Sequence, residues 1–575
     1  MKQFRNIFTY LICILLLIVA TTSRAQDTVL HTEISGIAEP ALNNAKERLS
    51  ILQEDYGKHL TPDTIQAFYK AAPHNLKQAL EPFGYFKAEI RTRLTHQGAV
   101  WTAQFFVTPG QPLRITRINV KITGPGQFEP DLLALLNHFP LTPGQIFQAD
   151  LYESAKKSLF QTANNQGYIK AALDKKEIQI DLKHYTAVII LQLDTGPRYY
   201  FGPVSFEQDS FSTDFLERFQ PFHTGDNFSN QKLLKFQQNL NNSHYFQQVA
   251  INPDLNPEAS YQVPINVLLK ANKSQQYNAA IGYGTYTGPR LTLGANFKHL
   301  TKTGHHMNFQ LKVSPVLQGL AAQYVIPGKN PLTDAYTLGA NVQKFSPKNG
   351  YSNSKTLSFG YATKIQGWKT NSTLSYLHEN YFIDGQNSSH NSRLLIPSLS
   401  LSRVKADDKI SPRFGHKINF VLRGATTKII SNTSFVQSEI KGKYLFSPTA
   451  NSTVVLGGNF GYTTVRNIRS LPLSLQFFAG GMSLRGFPYT YFGPGRYLKT
   501  GSVELRHRIV DKLSGAVFYD IGTADDHINA AMGHGTGLGL IYDSAIGPIR
   551  VYSGFGYLKN KPRHFDFEFS IGPEL

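Results

Sequence analysis

The second half of the sequence is a long series of short segments in which apolar and polar residues alternate. From Tyr277 onward helical periodicity is absent, and turn residues separate sixteen segments, the first at 277–286 and the last at 564–572. Alternation with a period of two is typical of β-strands that have one apolar and one polar face. Soluble β-sandwiches alternate in the same way. An even number of such strands in series, with no helices between them, favours a transmembrane β-barrel.

The first and last segments of this series differ in the size of their side chains. In the last segment, large apolar residues alternate with Asp566, Glu568 and Ser570, so that one face suits lipid and the other an aqueous lumen. These large residues are Phe565, Phe567, Phe569 and Ile571. The first segment carries small residues that contribute little cross-strand packing, namely Ala279, Ala280, Gly282 and Gly284. Since a closed barrel has no free edge, we expect the two segments to meet in a weakly paired seam.

The N-terminus has the features of a secretory signal over residues 1–25, with basic residues before an apolar run and small residues at its end. The only cysteine, Cys13, lies inside that run, so we expect an exported chain without thiols. Removing Lys2, Arg5 and Arg24 from the net charge of +19 leaves about +16. An exported protein rarely meets nucleic acid, so we predict no nucleic-acid partner and assign the basic excess to loops and lumen walls. After residue 25 no apolar run is long enough for a transmembrane helix.

Between the signal and the barrel, one pattern of elements occurs three times. Each copy has a strand, two helical stretches, an aromatic turn and two closing strands, and we predict domains at 26–110, 111–196 and 197–271. The aromatic turns are Gly84-Tyr85-Phe86, Gly167-Tyr168-Ile169 and His244-Tyr245-Phe246. Taken alone, this half also fits three α+β modules of unknown use. The predicted fold class is therefore α+β repeats followed by a 16-stranded antiparallel barrel over 275–575.

One predicted barrel strand carries an acidic residue on its inward face. In Ala516–Gly522, Val517, Tyr519 and Ile521 share the face suited to lipid, so Phe518, Asp520 and Gly522 point inward. A carboxylate there favours a cationic partner, and arginine is the residue best shaped to bind it in a bidentate manner. Arg485 is the natural candidate if the long loop 466–498 folds back into the barrel. The alternative is that Asp520 is one polar lumen residue among many.

The sequence offers little for catalysis, and we expect no catalytic residue, no metal and no cofactor. The triplet Gly535, Gly537 and Gly539 lacks the strand, helix and spacing of a dinucleotide site, and its period of two instead leaves one strand face free for an inserted loop. A Gly-x-Ser-x-Gly nucleophile elbow is missing from the sequence. His305 and His306 are adjacent on one strand and so point to opposite faces.

The loop and the late strands resemble the BamA/TamA superfamily. Its loop signature is matched by Leu484, Arg485, Gly486 and Phe487, and its Phe-x-Asp-x-Gly strand by Phe518, Asp520 and Gly522. Leu484 departs mildly from the usual valine or isoleucine. The resemblance implies that Arg485 docks on Asp520, with Glu504 as the acidic residue of the neighbouring strand. It also implies that the three repeats are POTRA domains in the periplasm and that 466–498 is the sixth extracellular loop.

Within this superfamily, three POTRA domains and an ending without a terminal aromatic residue resemble the TamA branch. That resemblance implies an outer-membrane subunit of a translocation and assembly module, which promotes the insertion, assembly or secretion of proteins such as autotransporters. The implied partners are a TamB-like protein anchored in the inner membrane, unfolded outer-membrane clients and the lipid bilayer. The alternative is a two-partner-type polypeptide-secretion pore. A passive solute porin is a third reading, against which the three N-terminal domains argue.

Overall fold

A computed structural model describes residues 28–57, 60–255, 261–285, 288–347, 350–384, 388–408, 412–544 and 547–571. The predicted signal segment lies outside the described residues. Two compact units divide the chain. One runs to Val204 and includes Phe222–Leu233 and Pro253–Ile265, and the other includes Ser205–Pro221 and Leu234–Asn252 and continues from Asn266.

The first α+β repeat is a three-stranded sheet covered by two helices. Its elements are β1 Val29–Ser35, α1 Ala41–Asp55, α2 Pro62–Leu80, β2 Glu89–Gln97 and β3 Val100–Thr108. The sheet order is β1-β3-β2, with β1 parallel to β3. Helix α2 begins where the Thr61 hydroxyl accepts a hydrogen bond from the Thr64 amide at 3.3 Å and Pro62 supplies a helical φ without an amide donor. Leu49, Ile65, Phe68 and Phe105 are buried between the layers.

The second and third repeats have the same order of elements. They consist of β4 Arg114–Thr123, α3 Pro130–Asn137, α4 Ala149–Asn165, β5 Ala172–Asp181 and β6 Thr186–Asp194, then β7 Tyr200–Glu207, α5 Thr213–Glu217, α6 Asn230–Asn242, β8 Phe246–Pro253 and β9 Gln262–Ala271. Each last strand is central, in the orders β4-β6-β5 and β7-β9-β8. Because β6 alternates, Ala187, Ile189, Leu191 and Leu193 are all buried.

The remainder forms a sheet of sixteen strands, as predicted, with a small hairpin in the long loop. The strands are β10 Gln275–Gly284, β11 Gly288–Phe297, β12 His306–Val313, β13 Leu317–Pro327, β14 Ala335–Phe345, β15 Gly350–Ile365, β16 Trp368–Ile383, β17 His390–Ala406, β18 Gly415–Ala425, β19 Phe435–Phe446, β20 Ser452–Val465, β21 Phe477–Ala479, β22 Phe492–Gly495, β23 Tyr497–Val510, β24 Leu513–Asp525, β25 Gly533–Ser544, β26 Gly547–Tyr557 and β27 His564–Ile571. All neighbours in the large sheet are antiparallel; β21 and β22 form the separate hairpin. We call residues 466–496, between β20 and β23, the inserted loop.

The barrel is nearly closed rather than closed. β10 pairs with β11, and β27 pairs with β26. Among the described residues β10 and β27 form no hydrogen-bonded ladder, although their Cα atoms approach within 8 Å. The two strands therefore lie close to each other, as predicted. The hydrogen-bonded closure that the sequence led us to expect is not found in the described residues. We call β10 and β27 together the seam.

Part of the third repeat packs against the barrel within the second compact unit. The Ser212 amide donates to the Lys302 carbonyl at 2.8 Å, and the Tyr245 hydroxyl donates to the Gly304 carbonyl at 2.6 Å. Burial raises the pKa of Tyr245 to about 12, so the hydroxyl keeps the proton that it donates. A Cβ atom at Gly304 would overlap the ring of Phe215, so glycine is required for this contact. No helix in the described ranges is both long and apolar enough to cross a membrane.

Candidate functional site

The candidate site begins with two neighbouring strands that point three polar side chains into the lumen. β23 and β24 are in register so that Ser502 faces Asp520 and Glu504 faces Phe518. Residues directly opposite each other share a face of the sheet. Asp520 is 1% exposed and Glu504 3%, whereas Val517 and Tyr519 on the other face are 55% and 47% exposed. The inward orientation predicted for Phe518 and Asp520 is the one observed.

Arg485 of the inserted loop reaches this polar face and contacts all three residues. Its Nε donates to Asp520 Oδ2 at 2.8 Å and its Nη2 to Asp520 Oδ1 at 2.7 Å, which is the bidentate geometry. Nη2 also donates to the Ser502 hydroxyl at 2.9 Å, and Nη1 donates to Glu504. We call Arg485, Asp520, Glu504 and Ser502 the clamp. The structure thus brings together the arginine and both carboxylates that the sequence singled out.

Two aromatic rings complete the surroundings of the guanidinium. Its carbon lies 3.8 Å from the Phe518 ring centre and 4.7 Å from that of Tyr552. A cation over an aromatic face is attracted by the ring quadrupole, most strongly where water is excluded. The Tyr552 hydroxyl also donates to Glu504 Oε1 at 3.1 Å, and Arg506 donates to the same oxygen at 2.5 Å. Tyr552 and Arg506 were missed by the sequence reasoning, because lumen-facing polar residues are common in any barrel.

Glycines let the loop backbone approach the barrel wall. Gly486 has φ +88°, a left-handed conformation, and a Cβ atom there would lie 2.7 Å from the Phe555 carbonyl carbon. A Cβ atom at Gly535 would overlap the carbonyl oxygen of Arg485. Of the three period-two glycines, Gly535 makes room for the inserted loop as predicted, whereas a Cβ atom at Gly537 would meet the Ser553 carbonyl oxygen and one at Gly539 the Tyr552 ring, both on β26.

The other signature residues form an apolar core beside the clamp. Leu484 and Phe487 are fully buried and pack in one cluster with Phe477, Ala479, Phe492, Leu498 and Ala524. The Phe487 ring centre lies 5.8 Å from that of His564, at the start of β27, and His564 Nε2 lies 2.9 Å from the Tyr491 hydroxyl. The loop tip is therefore packed against one strand of the seam.

A second set of contacts holds the N-terminal limb of the loop and was not foreseen from the sequence. Glu379 of β16, 0% exposed, accepts hydrogen bonds from the Ser474 amide at 3.1 Å and from the Ser474 hydroxyl. Tyr381 donates to the Arg469 carbonyl at 2.9 Å, and Gln437 donates to the Leu475 carbonyl at 2.7 Å. We call Glu379, Tyr381 and Gln437 the limb anchor. Their partners are largely backbone groups, which leave no signature in a sequence.

The predicted seam residues lie at the two edges of the sheet. Tyr277 and Ile281 on β10 are 68% and 88% exposed. Phe565 and Phe567 on β27 are 63% and 50% exposed, and such exposure suits contact with lipid. Ala279, Ala280 and Gly282 lie between Tyr277 and Tyr283 and bring little side-chain bulk to the edge. Ile571 is 41% exposed, and Phe569 is half-buried. Gly284 ends β10, and its surroundings lie outside the described residues.

Comparison with protein families identifies the barrel and the first repeat. Residues 271–574 match the Omp85 superfamily domain, and residues 31–109 match the first POTRA domain of TamA. A curated relative, the outer membrane protein assembly factor BamA of Buchnera aphidicola, is 22% identical over 208 residues. The match covers 36% of this chain and 33% of the relative, so the chain spans about a third of the length of the curated relative it matches.

A solved BamA structure shows the same fold. BamA from Haemophilus ducreyi lacking POTRA domains 1–3 aligns with a TM-score of 0.67 and 17% identity, covering 80% of this chain and 99% of that one. CdiB from Acinetobacter baumannii aligns with a TM-score of 0.46 and 13% identity, covering 93% and 99%. At 17% identity the likeness to the BamA structure concerns the fold alone.

Proposed function

Because the chain belongs to the Omp85 superfamily, we propose that it promotes the insertion, assembly or secretion of β-barrel proteins such as autotransporters. The barrel lies in the outer membrane, with its POTRA domains in the periplasm. The observation that carries the proposal is the seam, where two strands of a membrane barrel lie close together but form no ladder within the part of the chain that the structure describes. Backbone groups left unpaired in hydrocarbon are costly, so such an edge favours the arrival of another strand.

A client strand would add at the seam through its backbone. Strand addition draws its affinity from main-chain hydrogen bonds, and is therefore tolerant of client sequence. β10 offers small side chains at Ala279, Ala280 and Gly282, which weaken competing pairing with β27. The exposed rings of Phe565 and Phe567 would stay in lipid while the backbone edge of β27 is used.

The clamp and the limb anchor would keep the rest of the barrel fixed while the seam changes. Arg485 ties the loop to β23 and β24, and Glu379 ties it to β16. Phe487 packs near His564, so the fixed loop supports β27 at its first residue. This arrangement would allow β10 to move away from β27 without collapse of the lumen.

The periplasmic half would receive the client and an inner-membrane partner. β2, β5 and β8 lie at sheet edges in their three repeats and offer backbone groups for strand addition. The first repeat matches the TamA type of POTRA domain, which supports a TamB-like partner for this chain. The contacts of Ser212 and Tyr245 with the turn before β12 would couple recruitment to the barrel. The proposed mechanism uses no catalytic group, metal or cofactor.

Reconstitution tests this function directly. The full-length protein is inserted into liposomes, and a urea-unfolded autotransporter barrel is added. We expect faster assembly than in empty liposomes, scored by protease resistance and by heat-dependent migration of the client. No acceleration over empty liposomes would contradict the proposal. Passage of a soluble polypeptide into the vesicles, without insertion of any client, would instead favour the secretion pore.

A further inference from the structure

Glu568, on the seam strand β27, is a buried carboxylate without a hydrogen-bond partner in the described part of the chain. The residue is 3% exposed, and neither of its carboxylate oxygens has a hydrogen-bond partner among the described residues. A buried carboxylate is costly unless a cation or several donors compensate it. Asp566, two residues away on the same face, adds a second negative charge, and its Oδ2 is also without a partner in the described part of the chain. A cation close to the Glu568 carboxylate would therefore stabilise it.

Three other arginines line the same lumen cavity as Glu568 and already have interactions. Arg485 donates to Asp520, Glu504 and Ser502. Arg506 donates to Glu504. Arg550 of β26, opposite Ser570 in the register, has interactions of its own. Within the described residues, none of these three arginines donates a hydrogen bond to Glu568.

Arg290 of β11 is placed to supply that cation from the other side of the seam. It faces Gly282 of β10 in the register, and its side chain lies directly over that residue. A Cβ atom at Gly282 would be 2.8 Å from Arg290 Nε and 3.3 Å from its Cγ. The missing side chain therefore leaves a path by which the guanidinium extends across β10. In the described ranges Arg290 forms no ion pair.

Arg290 and Glu568 line the same cavity of the lumen, which has a volume of about 570 Å³. Thr285, beyond the end of β10, and Ser570 of β27 line it as well, so the cavity spans the seam. Neighbouring strands lie about 4.8 Å apart, and β11 and β27 would be about 10 Å apart if β10 paired with both. Two long side chains that extend toward each other over a glycine can bridge this separation.

We propose that Arg290 and Glu568 form an ion pair across the lumen face of the seam when β10 and β27 pair, and that the pair breaks when they separate. Gly282 is the residue that makes room for it. This contact would oppose seam opening through side chains, in a place where the backbone ladder is missing. The proposal concerns the barrel alone and holds or fails whether or not the protein assembles clients.

A crosslinking rate across the seam tests the proposal with the full-length protein in liposomes. Tyr283→Cys is combined with Phe567→Cys, Phe569→Cys or Ile571→Cys, and the pair that reacts fastest with a bifunctional maleimide is kept. We expect Arg290→Glu or Glu568→Arg alone to slow crosslinking by at least about threefold, within the range of coupling between contacting residues. The exchanged double variant should restore the rate. Heat-dependent migration shows that each variant is folded.

Controls separate this pair from its neighbours. Lys441 lines the same cavity from β19, away from the seam, and Lys441→Glu should leave the rate unchanged. If a reversed charge prevents folding, the milder variants Arg290→Gln and Glu568→Gln are used instead. Their double variant should then crosslink no more slowly than either single variant. Additive effects in both cycles would overturn the proposal. The proposal would also be overturned if Arg550→Gln slowed crosslinking as much as Arg290→Gln does, but had no effect when Glu568→Gln was already present. Arg550 would then be the partner of Glu568.

Discussion

The clamp and the seam are two regions of one barrel that differ in how fully their polar groups are paired. At the clamp, Arg485 donates five hydrogen bonds to Asp520, Glu504 and Ser502. At the seam, small residues line one strand, no ladder joins the two strands in the described residues, and Glu568 is without a partner there. A buried ionic network is costly to break, whereas unpaired strands are ready to exchange partners. The difference indicates that one part of the barrel is fixed so that another can open.

Loss of the clamp arginine should give the largest effect. Arg485→Ala leaves Asp520 as a buried carboxylate without a cation and leaves Glu504 with Arg506 alone, so we expect a loss of about 3–5 kcal/mol in the free energy of unfolding. The measurement is urea unfolding of the barrel in lipid vesicles. Asp520→Ala should add little to Arg485→Ala, and fully additive losses would show that the two residues act separately. Arg508→Ala, at an exposed position of β23, is the matched control.

The same substitution in the two regions should give different losses. Phe487 is fully buried in the loop core, so Phe487→Ala should cost about 3 kcal/mol. Phe567 is 50% exposed at the seam and faces lipid, so Phe567→Ala gives up contact with lipid but leaves no cavity, and it should cost less, about 1.5 kcal/mol. Both are measured by urea unfolding under identical conditions. Equal losses would remove the distinction between a packed clamp and a loose seam.

A methyl group at the loop contact should cost somewhat less. Gly535→Ala forces the Arg485 carbonyl away from β25, and overpacking of this kind costs about 1–3 kcal/mol. Gly442→Ala is the control, because a Cβ atom there meets nothing within 4 Å. Both variants are compared by unfolding and by assembly rate. A Gly535→Ala barrel as stable as the Gly442→Ala barrel would mean that the loop does not press on the wall.

The smallest of these effects is expected at the limb anchor. Ser474→Ala removes one donor to Glu379 but keeps the backbone amide, so a loss of about 1 kcal/mol is expected. A more sensitive measurement is trypsin cleavage at Arg466 and Arg469, which should become faster as the limb loosens. Ser372→Ala, at an exposed position of β16, should not change it. Unchanged cleavage in Ser474→Ala would show that the bond from the Ser474 hydroxyl to Glu379 does not help to hold the limb.

The sequence predicted the parts of this site that depend on side-chain parity and on local motifs. Strand alternation is enough to point Phe518 and Asp520 inward, and the tripeptide at Arg485 marks the residue that meets them. The limb anchor could not be predicted from the sequence, because Glu379 and Tyr381 bind backbone groups of Ser474 and Arg469. The positions of those groups depend on the path of the whole loop. The sequence predicted a weakly paired seam but not the lack of a ladder seen there in the described residues, since closure was assumed from the need to pair every edge. Its register depends on the shear of all sixteen strands, which no single segment encodes.

The most direct test of the account is to lock the seam. Cys13 is the only cysteine of the sequence and lies in the predicted signal segment, so cysteine pairs placed within 279–283 and 565–571 can be scored without background. The pair that oxidises most readily is reconstituted in liposomes, and assembly of an autotransporter barrel is measured before and after reduction. The account predicts that the disulfide suppresses assembly and that reduction restores it. Full assembly with the seam completely oxidised would contradict the account and leave disturbance of the bilayer as the mechanism.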